Sequence, residues 1–407
     1  MGDPIDFIIT KEGALCEFCE NSLRGGRLEE LVSIIKELLK PDELRVKQEC
    51  SLCGSVIMRE LGSMLREALG KLSEIEAESV KTSVILPVEV IEREDRIRAR
   101  YNPSNMRSIK LTLVKSLDKI MEMLSGRPVG EESSSMLLFD FKRGDVSIRS
   151  APVFIFGRYR KLERGISQSR RKCTECKGKG CERCGWRGKV ALRSVEGILG
   201  EVMREFFLAD DYVLHGAGRE DVDARMLGSG RPFVMEMINP KRRHVNLSEV
   251  EREINRRTHG MVEVLGLRFS SRDELRALKE SSPRIRKLYR ALVEVEGEVS
   301  EEDLRKLKEE LEGTTVRQKT PARVLWRRSD IVRLKKIYEI NFKKINDRKF
   351  ELYVLCDGGL YVKELISGDL GRTSPSVTEL LGKKSFCSEL DVLEVMISLN
   401  DKVMVYG

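Results

Sequence analysis

No apolar run in this 407-residue chain approaches the roughly 20 residues that a membrane-spanning helix needs, so no span is expected. Its first four residues, Met-Gly-Asp-Pro, form neither a basic n-region nor an apolar h-region, so export is not expected and the chain reads as cytoplasmic. A Gly-x-Gly-x-x-Gly fingerprint and a Walker loop are both missing, which argues against a nucleotide cofactor. Histidine is scarce: His215, His244 and His259 are the only three. None has a metal or triad partner at a recognisable spacing, so none is assigned a catalytic role. No heptad run suggests a dimerising coiled coil, no obligate protein partner is inferred, and the oligomeric state stays open.

What the chain has in abundance is charge. A content of 34% charged and 6% aromatic residues describes a heavily charged soluble protein. The 41% hydrophobic content supplies cores for two or three domains at this length. Formal net charge is +8, with the basic excess clustered in residues 158–193, 241–243 and 317–336. Taken alone, each run reads as a solvated face. Three together favour a polyanionic partner, because each phosphate contact releases a counterion.

Eight of the ten cysteines fall in Cys-x-x-Cys pairs. Cys16/Cys19 and Cys50/Cys53 form one set; Cys173/Cys176 and Cys181/Cys184 form a second, more compact one. Two thiolates at this spacing on a tight turn face one ion, and two such turns complete a tetrahedral structural zinc site with no open position for chemistry. Disulfides would suit an oxidising compartment rather than a cytoplasmic chain. The glycine pattern of the second set is similar to one DnaJ-type zinc module. Arg170, Arg171, Lys172, Lys177, Lys179, Arg183, Arg187 and Lys189 around it suggest that this knuckle presses against an RNA backbone. Cys356 and Cys387 read as ordinary buried residues.

Periodicity organises the rest. Residues 28–39 and 59–75 read as helices, 84–90 as a strand, 109–124 as a helix, and 136–141 and 146–148 as strands. That content is similar to an RNA-binding THUMP domain. A segment at 152–157 and the basic tract lead to a boundary near residue 190. Beyond it a larger domain opens with a helix at 195–207, followed by strands at 233–238, 261–269 and 288–295. Helix starts are signalled by Ser248-x-x-Glu251 and by Ser300 before Glu301-Glu302-Asp303. Paired strands at 337–342 and 350–356, a Gly358-Gly359 turn, a helix from about Tyr361 and a strand at 392–397 close the chain. The fold class expected is α+β with a mixed sheet.

The densest chemical signal is residues 215–233, where three carboxylates and three arginines sit among glycines. Glycine lets backbone approach a ligand, and arginines there bind phosphates or orient a carboxylate. Arg219-x-Asp221 resembles the Arg-x-Asp of pseudouridine synthases, and residues 218–233 closely resemble the Pus-ten family of archaea and eukaryotes. Residues 287–292 (Lys-Leu-Tyr-Arg-Ala-Leu) are similar to the family's tyrosine motif. Residues 358–373, opening Gly-Gly-Leu-Tyr-Val-Lys-Glu-Leu, are similar to its C-terminal motif, and residues 318–325 give a shorter match. The resemblance covers essentially the whole chain.

It implies four segments: a zinc-ribbon N-terminal segment (1–60), a THUMP-like domain (61–165), the basic knuckle (166–190) and a pseudouridine synthase catalytic domain (191–407). It implies tRNA as partner, through the T-arm, with uridine-54 and uridine-55 of the T-loop as targets. The resemblance makes Asp221 the nucleophile, with Asp223 as its rival. Arg219, Tyr289, Tyr361 and Lys363 become substrate-binding residues: Tyr289 stacks on the flipped uracil and assists proton removal, Tyr361 lines the pocket, and Lys363 pairs with Asp221. No organic cofactor is expected, only structural zinc on one or both cysteine sets. The competing expectation is a non-catalytic tRNA-binding or RNA-chaperone module. A THUMP-bearing methyltransferase or thiolase would need a methyl-donor loop, or an ATP loop with a reactive cysteine, and neither is found.

Overall fold

The computed structural model describes residues 4–39, 49–101, 107–130, 132–190, 193–281 and 285–396. Residues 1–3 and Ile397, which figure in the expectations above, lie outside them. Backbone proximity divides the chain into two compact units, residues 1–152 with 238–244 and residues 153–237 with 245–407. Among the described residues no helix is long and apolar enough to cross a membrane.

The first unit runs α1 (Pro4–Glu12), α2 (Glu17–Leu23), α3 (Leu28–Glu37), α4 (Val56–Ser73), β1 (Val80–Ile85), α5 (Val88–Tyr101), α6 (Ile109–Ser125), β2 (Ser135–Asp140) and β3 (Asp145–Ser150). Its sheet has the order β1-β2-β3, with β1 parallel to β2 and β2 antiparallel to β3. Apolar residues at helical spacing, such as Ile57, Leu61 and Leu65 on α4 and Leu113 and Leu117 on α6, share a core with Val84, Leu137 and Phe139 of the sheet. The strand expected at 84–90 is displaced: β1 ends at Ile85 and Val88 opens α5. Pro87 lacks the amide a strand ladder needs but suits the entry to a helix, where its carbonyl accepts from Val90 N at 3.1 Å. Cys16 and Cys19 sit at the start of α2, and Cys50 and Cys53 just before α4. Ser51 N donates to Ala14 O at 2.8 Å, tying the two cysteine turns together.

The second unit comprises β4 (Val153–Lys161), β5 (Arg171–Lys172), β6 (Lys189–Val190), α7 (Val195–Phe207), β7 (Asp211–Gly216), β8 (Ala224–Ile238), α8 (Leu247–Arg257), β9 (Val262–Ser270), α9 (Arg272–Ser281), β10 (Arg286–Val295), α10 (Glu301–Leu311), β11 (Thr315–Lys319), β12 (Val332–Asn346), β13 (Lys349–Asp357), α11 (Val362–Ser367), β14 (Thr373–Ser374), α12 (Val377–Leu381) and β15 (Ser385–Met396). Its mixed sheet has the order β14-β11-β12-β13-β10-β15-β8-β4-β9, with β7 beside β8. The fold is therefore the expected α+β with a mixed sheet. Strand β15 runs parallel to β8 over only three register pairs, Leu390↔Ala224, Asp391↔Arg225 and Val392↔Met226. Asp391, almost fully buried, accepts from Arg164, Arg225 and Arg290 across this join.

Three local readings change. Residues 224–232, read as part of a glycine-rich segment, form the first half of β8. Gly228, at φ +58°, makes that possible, since a Cβ there would lie 1.8 Å from Leu393 O on β15. The cap of α8 is Asn246 rather than Ser248: its Oδ1 accepts from Ser248 N (3.1 Å) and Glu249 N (3.4 Å), satisfying the amides a serine cap would have served. Ser300 caps α10 in a capping box with Asp303, as its sequence indicates. Finally, the basic tract is not wholly a solvated face: Lys161 is buried, and Arg170 is buried against Glu196 and Asp211.

Candidate active site

The loop between β7 and β8 is built from below by buried charge. Glu220, with no exposed side-chain surface, accepts from Tyr159 Oη (3.0 Å to each oxygen) and from Arg231 Nε (2.9 Å). Arg231 Nη1 donates to Ala217 O (2.7 Å), and Gln168 Nε2 to Gly218 O (2.9 Å). The buried ammonium of Lys161 donates to the carbonyls of Ile166 (2.8 Å), Asp221 (3.1 Å) and Val222 (3.2 Å). Arg231, Gln168 and Lys161 thus grip the loop backbone at Ala217, Gly218, Asp221 and Val222, and none of these contacts engages the Asp221 carboxylate. Desolvation makes such groups costly unless they are paired, so the network fixes the loop in one conformation. Gly218, at φ +82°, is required by the same packing, because a Cβ there would lie 2.7 Å from Lys287 Nζ and 3.2 Å from Arg231 Nη1.

Above the network lies a cavity of about 660 Å³. Arg219, Asp221, Tyr289, Tyr361 and Lys363 all line it, so the residues singled out in the sequence converge from the β7–β8 loop, β10 and the start of α11. Asp223 is not among the lining residues. The Asp221 carboxylate, about a third exposed, accepts from Arg323 Nη2 (3.0 Å) and Nη1 (3.4 Å) and lies 3.6 Å from Lys363 Nζ. Lys363 is closer to Asp223, at 2.6 Å. The expected Lys363–Asp221 pair is thus present but is the weaker half of a shared arrangement, and Arg323 is the nearer cation. Arg219 is exposed and forms no ion pair among the described residues, so it does not hold Asp221.

Arg323 is itself anchored by Glu364, whose Oε1 accepts from Nε at 2.7 Å. Burial is the largest influence on the Arg323 guanidinium and opposes its charge, but Glu364 and Asp221 more than offset it and hold its pKa above the ordinary value. Burial likewise pushes the Glu364 carboxyl up, against the pull of Arg323. Asp223 feels burial most, which would raise it, yet Lys363 leaves it below the usual carboxylate value. Tyr289 is buried on β10, and burial drives its phenol well above the ordinary range. It therefore presents a neutral ring and hydroxyl, which suits stacking and hydrogen-bond donation better than proton abstraction. Tyr361 precedes α11, and its Oη accepts from Arg328 at 3.1 Å.

Sequence reasoning assigned no role to Arg323, Glu364 or Lys287. Lys287 is 5% exposed and lines the cavity, and its ammonium has no hydrogen-bond partner among the described residues. Burial, then the nearby Arg231 charge, lowers its pKa to about 7. The signal for it was the two-residue strand period, which puts Lys287 and Tyr289 on one face of β10.

Both cysteine sets fit a tetrahedral ion. In each, the four Sγ atoms lie within 4.8 Å of one another. The sulfur pairs Cys16–Cys53 at 3.7 Å, Cys181–Cys184 at 3.7 Å, Cys173–Cys181 at 3.8 Å and Cys176–Cys184 at 3.9 Å match the edge of about 3.8 Å that four zinc–sulfur bonds would set. In the second set the amides of Gly180, Cys181 and Gly188 donate to sulfur at 3.2 Å, the outer support that thiolate ligands require.

A family model described as "Pus10, C-terminal" matches residues 154–396, a span that opens within β4. The tRNA pseudouridine synthase Pus10 of Korarchaeum cryptofilum is 64% identical over 373 residues, 92% of this chain and 100% of that protein. The tRNA pseudouridine synthase Pus10 of Methanocaldococcus jannaschii is 40% identical over 381 residues, covering 91% of this chain and 82% of that protein. Among solved structures, a Cbf5–Nop10–Gar1 complex matches 49% of this chain and 45% of its own, at 17% identity and a TM-score of 0.32, too slight a likeness to argue from.

Proposed function

The chain belongs to the Pus10 family of tRNA pseudouridine synthases, and from that premise we propose that Asp221 is the nucleophile that converts uridine-54 and uridine-55 of the tRNA T-loop to pseudouridine. The reaction is an isomerisation. The N1–C1′ bond breaks, the base turns, and C5 joins C1′; the hydrogen on C5 leaves as a proton and N1 takes one up. No electrons or groups are exchanged with another molecule, so the residues need supply only a nucleophile, a cage for the freed uracil and proton handling.

The observation that carries this reading is the setting of Asp221. Its backbone is pinned by Lys161 and its carboxylate, open to the cavity, faces Arg323 and Lys363. Two cations aim the carboxylate, and a covalent adduct through it splits one hard bond exchange into two. Tyr289 stacks on the displaced uracil, Tyr361 flanks it, and the exposed Arg219 meets the RNA backbone at the mouth. The first unit, with its cysteine cluster holding structural zinc, takes the THUMP-like role of gripping the tRNA.

Tritium release from C5-labelled uridine in an unmodified tRNA transcript tests the assignment. Wild type should release tritium and Asp221→Ala should bind the transcript without release. Release by Asp221→Ala at the wild-type rate would rule Asp221 out, and no release by wild type despite binding would leave a tRNA-binding module.

A further inference from the structure

The second cysteine knuckle takes no part in the isomerisation just described, yet its construction is exacting. A Cβ on Gly188 would lie 2.4 Å from Gly178 O, and one on Gly180 would lie 2.6 Å from Trp186 O, so the two turns close only because glycine stands at both. Trp186 N donates to Cys181 O at 2.8 Å, which holds Trp186 at φ +62°. A left-handed backbone is costly for a bulky residue. Here it delivers the indole to solvent, 75% exposed.

The charge beside that ring is unbalanced. Arg183 is paired with Glu175, and Arg187 with Glu201 on α7. Arg171, Lys172, Lys177 and Lys179 are exposed and have no acidic partner among the described residues. Among the described residues of the knuckle, Glu182 is the one carboxylate without an ion pair to set against these four cations. A flat aromatic face flanked by free cations is what an unstacked nucleotide requires: any base stacks on the ring, and the neighbouring phosphates meet the charges.

We propose that this knuckle is a second RNA-docking surface, in which Trp186 stacks on an unpaired base of the substrate RNA and Arg171, Lys172, Lys177 and Lys179 hold the adjoining phosphates. The proposal rests on the reading that RNA is the substrate. It places a binding contact outside the uridine cavity, so it governs affinity rather than the chemical step.

Trp186 and Trp326 are the chain's only tryptophans, so in the full chain carrying Trp326→Phe, indole fluorescence reports Trp186 alone. Titration with an unmodified tRNA transcript should quench that signal saturably. Trp186→Ala should weaken tRNA binding by at least about fivefold with kcat and the melting curve unchanged. Lys177→Glu with Lys179→Glu, both exposed, should lower the salt dependence of binding. Tritium release and tight binding without any quench, or Trp186→Ala with undiminished affinity, would overturn the proposal and leave the ring to a protein partner. A quench without tritium release would support the docking surface while sinking the isomerase assignment.

Discussion

Lys287 sits almost wholly inside the protein, beneath the Asp221 loop, with Arg231 as a neighbour and no hydrogen-bond partner for its ammonium among the described residues. Its pKa falls from the ordinary lysine value of 10.5 to about 7, chiefly through burial. At about 1.4 kcal/mol per pH unit, holding its charge in the fold costs roughly 5 kcal/mol. The sign follows from proton binding. Below pH 7 both folded and unfolded chains carry the proton and the full penalty applies. Between pH 7 and 10.5 the unfolded chain binds the proton more tightly, so wild-type stability rises with pH; above 10.5 the penalty is gone. Lys287→Met keeps the volume and removes the charge, so the variant should be the more stable at pH 6.5. Its advantage should shrink by roughly 3 kcal/mol on going to pH 9.5. Urea denaturation of both proteins at the two pH values measures this directly. A stability difference that does not change with pH would refute the claim that Lys287 is a buried charge.

The remaining expectations address the site and the frame. Arg323→Ala should lower turnover on the order of a hundredfold and also destabilise the fold, because it strands Glu364, whose side chain is 6% exposed; single-turnover kinetics and melting read the two effects, and a turnover loss smaller than that of Lys363→Ala would reverse the ranking of the cations. Lys363→Ala should reduce turnover far more than tRNA affinity, whereas equal losses in rate and binding would make it a phosphate contact. Gly228→Ala drives a Cβ into Leu393 O and should cost at least about 2 kcal/mol; an unshifted Tm would contradict the strand register. Cys16→Ser, or a strong chelator, should lower the melting temperature of the first unit, and curves unmoved by both would remove any structural role for a metal there.

Local periodicity carried much of the fold into view. Helix α7 spans Val195–Phe207, where the sequence places it, and the β12–β13 pair and the cap of α10 follow from alternation and a serine signal. These features depend on neighbours within a few residues. The site's supporting charges were hidden for the opposite reason. A lysine that is buried, such as Lys161, looks identical in sequence to a solvated one. Its burial depends on carbonyls sixty residues away in the Asp221 loop. The choice of Arg323 over Lys363 as the nearer cation likewise turns on how the segment after β11 lies against the cavity, which no spacing rule reports. Gly218 and Gly228 were visible as glycines, but what each makes room for was not.

The join between β15 and β8 bears on how the protein comes to be active. Strands β9, β4, β8 and β7 draw on residues 153–270, and β10 to β15 on residues 286–396, so each half of the sheet is assembled from nearby chain. Within the sheet the two halves meet through three register pairs, with the Asp391–arginine cluster beside them, and these contacts link residues far apart in sequence. Closing so long a loop late is the slow kind of event in folding. Asp221 belongs to one half and Arg323, Lys363 and Tyr289 to the other. A folding intermediate with both halves formed and the join open would carry nearly native secondary structure and no competent site, so recovered activity during refolding times the zipping of this one seam.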